Sequence, residues 1–233
     1  MGYDYTAINI HGLQVKRNSY NSLLITEGVC KPTNTQSKVQ IHNAADVVIN
    51  IFDYISVNQG TFYYVYIIKD KDNLADIDFV ISTEYNDTDD TNDKLKGKYY
   101  RLIGVFRTSD FSTDILPYML IGEGVYRKFI YMNDRKERNV LANGQDTSYT
   151  PVFCWNYVPE YADTINAEIS NKRSRGYVYV TDNSWNDYDL IMLYGRDTLV
   201  FSFFNYYSAL RYHIDSSNYG QAYIYINGFD YSL

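Results

Sequence analysis

The chain has 233 residues, 17% of them aromatic, and carries a formal charge of −7 at pH 7. This length holds one large β-domain or two modest ones, and either buries roughly 70% of the unfolded surface, so no staples are required. The charge would repel a phosphate backbone and no Lys/Arg stripe offsets it, which excludes nucleic acid as a partner; no apolar run reaches bilayer length, which excludes a membrane-spanning helix.

Strand signals recur along the chain between Gly, Asn, Asp and Ser. At the N-terminus, Met1-Gly2-Tyr3-Asp4-Tyr5-Thr6 formally fits a myristoylation pattern, which is short and common, and no signal peptide is expected. The predicted strands are Leu23–Thr26, Phe62–Lys69, Phe79–Ser82, Arg101–Thr108, Phe129–Met132, Val152–Tyr157, Tyr177–Thr181, Leu190–Tyr194, Thr198–Phe204, Leu210–Ile214 and Ala222–Asn227. Ala44–Phe52 and Val158–Ile169 have mixed periodicity and are assigned to strand for their β-branched residues. Phe62 to Ile68 is apolar on both faces, as in a strand buried between two layers. In the similar run Arg101–Phe106, Gly104 marks a bulge or a close backbone approach. The expected fold is all-β, in antiparallel sandwich or barrel-like domains. The polar, turn-rich stretch Asn143–Pro151 divides them into an N-terminal domain over 1–142 and a C-terminal domain over 151–233.

Tyrosine outnumbers phenylalanine by 27 to 11, and its runs alternate. Tyr177-Val178-Tyr179-Val180 and Tyr223-Ile224-Tyr225-Ile226 each place aliphatics on one strand face and phenols on the other. A phenol row packs flat against a partner and still hydrogen-bonds at its tip. Tyr177, Tyr179, Tyr223 and Tyr225 are therefore the candidate interface residues. An AT-rich genome would raise Tyr, Asn and Ile without selection, but Phe codons are equally AT-rich and Phe is not raised to match.

Motifs for chemistry are sparse. The histidines His11, His42 and His213 have no metal-ligand spacing, and no nucleophile elbow or phosphate-cradling glycine loop is present. Neither a metal nor a cofactor is expected, nor is catalysis. Cys30 and Cys154 are far apart and are expected to be free, partly buried thiols. Asp87–Asp93 places oxygens at alternate positions like half a calcium loop. Asn92 stands where the glycine belongs and Lys98 where the glutamate belongs, which favours a solvated loop. Asp182–Asp189 sets Trp185 among Asn183, Asn186 and Asp187. A ring that stacks on a pyranose face beside amides and a carboxylate makes these four the candidate sugar-binding residues, against a turn whose Trp185 folds back onto the sheet edge.

Several segments together resemble the tail-fibre and virion-appendage proteins of tailed bacteriophages. They are Gly12-Leu13, Leu24-Ile25-Thr26-Glu27-Gly28-Val29-Cys30, the aromatic strand Gly60–Asp70, Phe79-Val80-Ile81-Ser82, and Tyr99–Thr108 leading to Ile115-Leu116-Pro117-Tyr118 and Gly122-Glu123-Gly124. Val158-Pro159-Glu160-Tyr161-Ala162 and Ile224–Phe229 continue the likeness. The sequence departs from the family at Asp53–Asn58, where a glycine-rich turn would stand, and at Leu95–Lys98, which lacks the proline of the lead-in. The resemblance implies a non-enzymatic structural protein, made in a host cytoplasm and resident in the virion. It would contact other virion proteins and itself, as a homo-oligomer and most simply a trimer, and meet a host-surface glycan. It transfers no catalytic residue. A capsid decoration or head-fibre protein and a carbohydrate-binding module are the alternatives.

Overall fold

The computed structural model describes residues 10–35, 39–73, 76–85, 94–122, 124–183, 191–205, 208–216 and 220–233. It is nearly all β, with 56% of residues in strands and 4% in helical turns. The chain falls into two compact units, Met1–Arg127 with Leu233, and Lys128–Ser232.

The first unit begins with β1 (Ile10–Gly12), β2 (Val15–Arg17), β3 (Ser22–Ile25), β4 (Gly28–Cys30), β5 (Ile41–Asn43) and β6 (Val47–Asn50). It continues with β7 (Phe62–Asp70), β8 (Ile77–Ser82), β9 (Lys98–Arg107) and β10 (Tyr118–Ile121). Three small antiparallel sheets result, in the orders β1-β4-β5, β2-β3-β6 and β8-β7-β9. β7 is the middle strand of its sheet, and Tyr63 through Ile68 are all buried, as a run apolar on both faces requires. Gly104 is both a bulge and a close approach. Val65 pairs with Gly104 while Tyr66 pairs with Leu102, leaving Ile103 as the extra residue. A Cβ on Gly104 would lie 2.6 Å from a methyl of Val15.

The segment read as strand over Ala44–Phe52 is strand only for Val47–Asn50. The chain then enters a 3-10 turn, Ile51–Asp53, whose first free amide, that of Phe52, donates to the Asn50 carbonyl oxygen Oδ1. Arg107 is fully buried; its guanidinium donates to the Thr108 carbonyl at 2.9 Å and pairs with Asp110.

β11 (Tyr126–Tyr131) carries the chain across the division. The second unit holds β12 (Asn139–Gly144), β13 (Thr150–Phe153), β14 (Thr164–Asn171), β15 (Tyr177–Asp182), β16 (Ile191–Tyr194), β17 (Asp197–Phe204), β18 (Ala209–Ile214) and β19 (Ala222–Ser232). One sheet contains β11-β19-β14-β17, with β12 also paired to β19; the other runs β13-β18-β15-β16. Their apolar faces supply the core. Ile165, Ala167, Ile169, Phe203, Ile224 and Ile226 are buried in the first sheet, and Val178, Val180, Leu193, Leu210 and Ile214 in the second. Phe129 stacks on Phe229 at 4.8 Å.

The expected domain break at 143–151 is thus corrected to the Arg127/Lys128 junction. Composition marked a polar turn, but Asn139–Gly144 is itself a strand, held to β19 through Asn139–Tyr225, Leu141–Ile224 and Gly144–Ala222. The turn after it is pinned too: the Tyr212 hydroxyl donates to Asp146 at 2.7 Å, and the Ile214 amide donates to the Asp146 carbonyl at 2.8 Å. Two other assignments shift. Val158–Ile169 becomes strand only from Thr164, and Val152–Tyr157 ends as strand at Phe153. Both cysteines are free and fully buried rather than partly so.

Candidate functional site

Alternation on β15 puts Val178 and Val180 in the core and Tyr177 and Tyr179 on the opposite, half-buried face. The antiparallel register then gathers aromatic neighbours around them. Tyr179 lies opposite both His213 of β18 and Met192 of β16, and Tyr177 lies opposite Tyr194. Cross-strand side chains on one face approach closely, so the rings pack directly. The Tyr179 and His213 rings are stacked at 4.3 Å and 5°, and Tyr149 meets His213 at 4.2 Å, edge-on. Tyr177 packs against Tyr194 at 4.8 Å, and the Arg211 guanidinium lies 5.2 Å from the Tyr149 ring.

At the end of β13 and just past it the paving continues with Phe153 and Trp155, stacked at 4.5 Å and both exposed. The outer face of this sheet is therefore an aromatic surface with a few polar tips. Burial, with a hydrogen bond to Asp215, raises the Tyr179 phenol above its ordinary value and keeps it a neutral donor.

Tyr223 and Tyr225 belong to β19, in the other sheet, so the four candidate interface tyrosines do not form one surface. Their rings are stacked, with centroids 6.5 Å apart. Tyr225 is buried, because the Arg135 guanidinium sits 4.0 Å over its ring and is held there by Glu168 at 2.6 Å. The Tyr223 hydroxyl donates to Asn143. This pair is satisfied within the unit, whereas the Tyr177/Tyr179 face presents its neighbours to solvent.

Of the candidate sugar residues, Trp185, Asn186 and Asp187 lie outside the described residues, as does the acidic run Asp87–Asp93. Asn183 is described, half-buried at the end of β15. The sequence reading passed over Phe153 and Trp155. Their signal was present: Val152 and Cys154 alternate inward, which aims Phe153 and Trp155 outward. It predicted β17 as the strand Thr198–Phe204 but did not mark it as a surface, although its apolar residues are mostly exposed.

In the first unit, a cleft of about 570 Å³ is lined by Asp53, Tyr54, Asp70, Asp78, Lys94 and Lys98, among others. Lys98 forms an ion pair with Asp70 there, and the Lys94 ammonium donates to the Tyr54 carbonyl at 2.8 Å. The hydrogen bond from Lys98 holds the Asp70 carboxyl down at about 2, and burial with Asp78 and Asp53 nearby raises Tyr54. Among the described residues no cluster of His, Cys, Asp or Glu could hold a metal ion. Burial pushes both thiols up to about 12, so neither is an activated nucleophile near neutral pH. Chemically, the arrangement offers stacking, hydrogen-bond tips and apolar area. Comparison with protein-family models, curated proteins and solved structures found no match to this chain.

Proposed function

We propose that this chain is a structural protein of a tailed-phage virion, a tail-fibre or appendage module that works by contact and not by catalysis. The observation that carries the contact role is the outer face of β13-β18-β15-β16, where Tyr149, Tyr177, Tyr179, Tyr194, Phe153 and Trp155 are gathered on a sheet whose other face is core. Large rigid side chains with polar tips bury area at low entropic cost, which is what a surface made for partners uses. The virion assignment is carried by the sequence resemblance, from the Tyr99–Thr108 strand above all, and is supported by the all-β architecture.

The test is localisation. Antibody raised against the purified chain should decorate one defined substructure of particles from an infected culture under the electron microscope. Particles that carry the chain by mass spectrometry but take label on the capsid shell would move it to the decoration role. Absence of the chain from purified particles would overturn the virion reading.

A carbohydrate-binding reading is favoured by one separate feature, the exposed Phe153–Trp155 pair. Such a module would stack a pyranose ring on the open face of an aromatic side chain. Trp155→Ala and Trp185→Ala separate the two aromatic candidates. Loss of host-cell attachment in either, with the circular dichroism spectrum unchanged, locates the sugar contact. Release of reducing sugar from host polysaccharide would instead make the protein an enzyme.

A further inference from the structure

β17 is an edge strand with none of the usual protection. It pairs with β14 on one side and, among the described residues, with no strand on the other. Edge strands in isolated domains are kept short, bulged, proline-bearing or charged, because their free N–H and C=O groups recruit further strands. Over its eight residues β17 has no proline, no lysine, no register shift against β14 and one charge, Asp197. Apolar side chains stand open on both of its faces: Leu199 is 44% exposed and Phe201 39% on one, Val200 64% and Phe204 59% on the other, while Phe203 is buried. Gly195 and Arg196 join it to β16, the edge strand of the other sheet, where Met192 and Tyr194 are also exposed.

We propose that β17 pairs antiparallel with β17 of a second copy of this chain, giving a twofold dimer with a continuous sheet across its axis. Identical edges pair this way only about an axis perpendicular to the sheet, which keeps the inward faces of both strands on one side. Residues of like parity then meet. With the axis at Phe201, that residue faces its own counterpart, Leu199 faces the second copy's Phe203, and Val200 faces its Ser202. No like charges are opposed.

Electrostatics does not oppose a second copy here, although the chain carries a net charge of −7. The two Asp197 carboxylates fall at opposite ends of the pairing, eight residues or roughly 27 Å apart at strand rise, well beyond a screening length of about 10 Å. The exposed apolar side chains of β17, with Met192 and Tyr194, offer on the order of 600 Å², of which the pairing covers the part that flanks the seam. This pairing does not depend on the virion reading, since it concerns the purified chain alone.

The experiment is sedimentation velocity of the full chain at micromolar concentration, with Val200→Lys as the edge variant. Phe111→Lys, an equally drastic change at an exposed site of the first unit, is the control. The wild type and the control are expected as dimers, and Val200→Lys is expected to weaken association at least ~tenfold, because a lysine on an edge opposes strand addition. Amide exchange across Asp197–Phe204 should slow as wild-type concentration rises. A wild-type monomer overturns the proposal, as do a trimer, dye-binding fibres, or a dimer indifferent to Val200→Lys. Should that variant lose its circular dichroism spectrum, the exchange measurement decides: protection of β17 independent of concentration overturns the pairing. Particle localisation fails or succeeds separately, so the two readings are distinguishable.

Discussion

At the scale of single residues, two glycines and two thiols are set by their neighbours. A Cβ on Gly104 would press on the Val15 side chain at 2.6 Å, which can shift, whereas on Gly228 it would lie 1.9 Å from the Phe129 carbonyl oxygen, which belongs to a paired backbone. Gly104→Ala is expected to cost about 1–3 kcal/mol, as overpacking does, and Gly228→Ala more. Urea denaturation of both variants checks the order, and equal losses would show that β11 yields as easily as Val15. The buried thiols and the Tyr212 phenol share a pH signature. Burial raises Cys30, Cys154 and Tyr212 to about 12 in the folded chain, the last with the added effect of its Asp146 hydrogen bond. Above about pH 9 the unfolded thiols lose protons that the folded ones keep, so the unfolded state gains. Stability is fully present below pH 9 and falls as pH rises toward 12, by up to about 1.4 kcal/mol per pH unit for each thiol. Denaturation midpoints across that window measure it, and Cys→Ser variants should flatten the slope.

At the scale of elements, the same alternation has different outcomes on β15 and β19. Both bury their aliphatics, yet β19 covers its outer tyrosine with Arg135, while β15 receives Tyr194, Met192 and His213 from adjacent strands and stays open. Arg135→Ala is expected to uncover Tyr225 and cost about 1 kcal/mol, the sum of an exposed ion pair and a cation–π contact, without changing the contact surface of β15. Thermal unfolding reads the first expectation and amide exchange over Tyr177–Asp182 the second. The segment between β12 and β13 has its own consequence. Its turn-rich composition marks Asn143–Thr150 as a cleavage site, but the bonds of Asp146 to Tyr212 and Ile214 hold it. Limited proteolysis followed by mass spectrometry should find this segment uncut at short times, and Tyr212→Phe should expose it.

At the scale of the whole molecule, neither unit borrows its core from a disulfide or from a metal cluster among the described residues. Each relies on sheets whose strands are distant in sequence, such as β14 with β19 and β7 with β9. Non-local pairing of this kind folds slowly and leaves edges exposed until it closes. Refolding yield should therefore fall with protein concentration, and Val200→Lys should restore part of it by charging an open apolar edge. Light scattering during dilution from urea measures this, and a yield independent of concentration would argue against β17 as the adhesive element.

What the sequence determined by itself was periodic and local. Two-residue alternation gave the all-β class and the inward aliphatics of β15 and β19, because each depends only on a strand's own pleat, and a glycine inside a strand run marked the irregularity at Gly104. The tertiary structure decided which strands are neighbours. Phe62–Ile68 and Leu199–Phe204 are both apolar on two faces, but β7 is paired on both sides and buried while β17 is paired on one side and open. The division at Arg127/Lys128, the cover over Tyr225 and the Tyr149–His213–Tyr179 stack follow in the same way. Each brings together residues from separate strands, and strand order across a sheet is a long-range choice that no local pattern records.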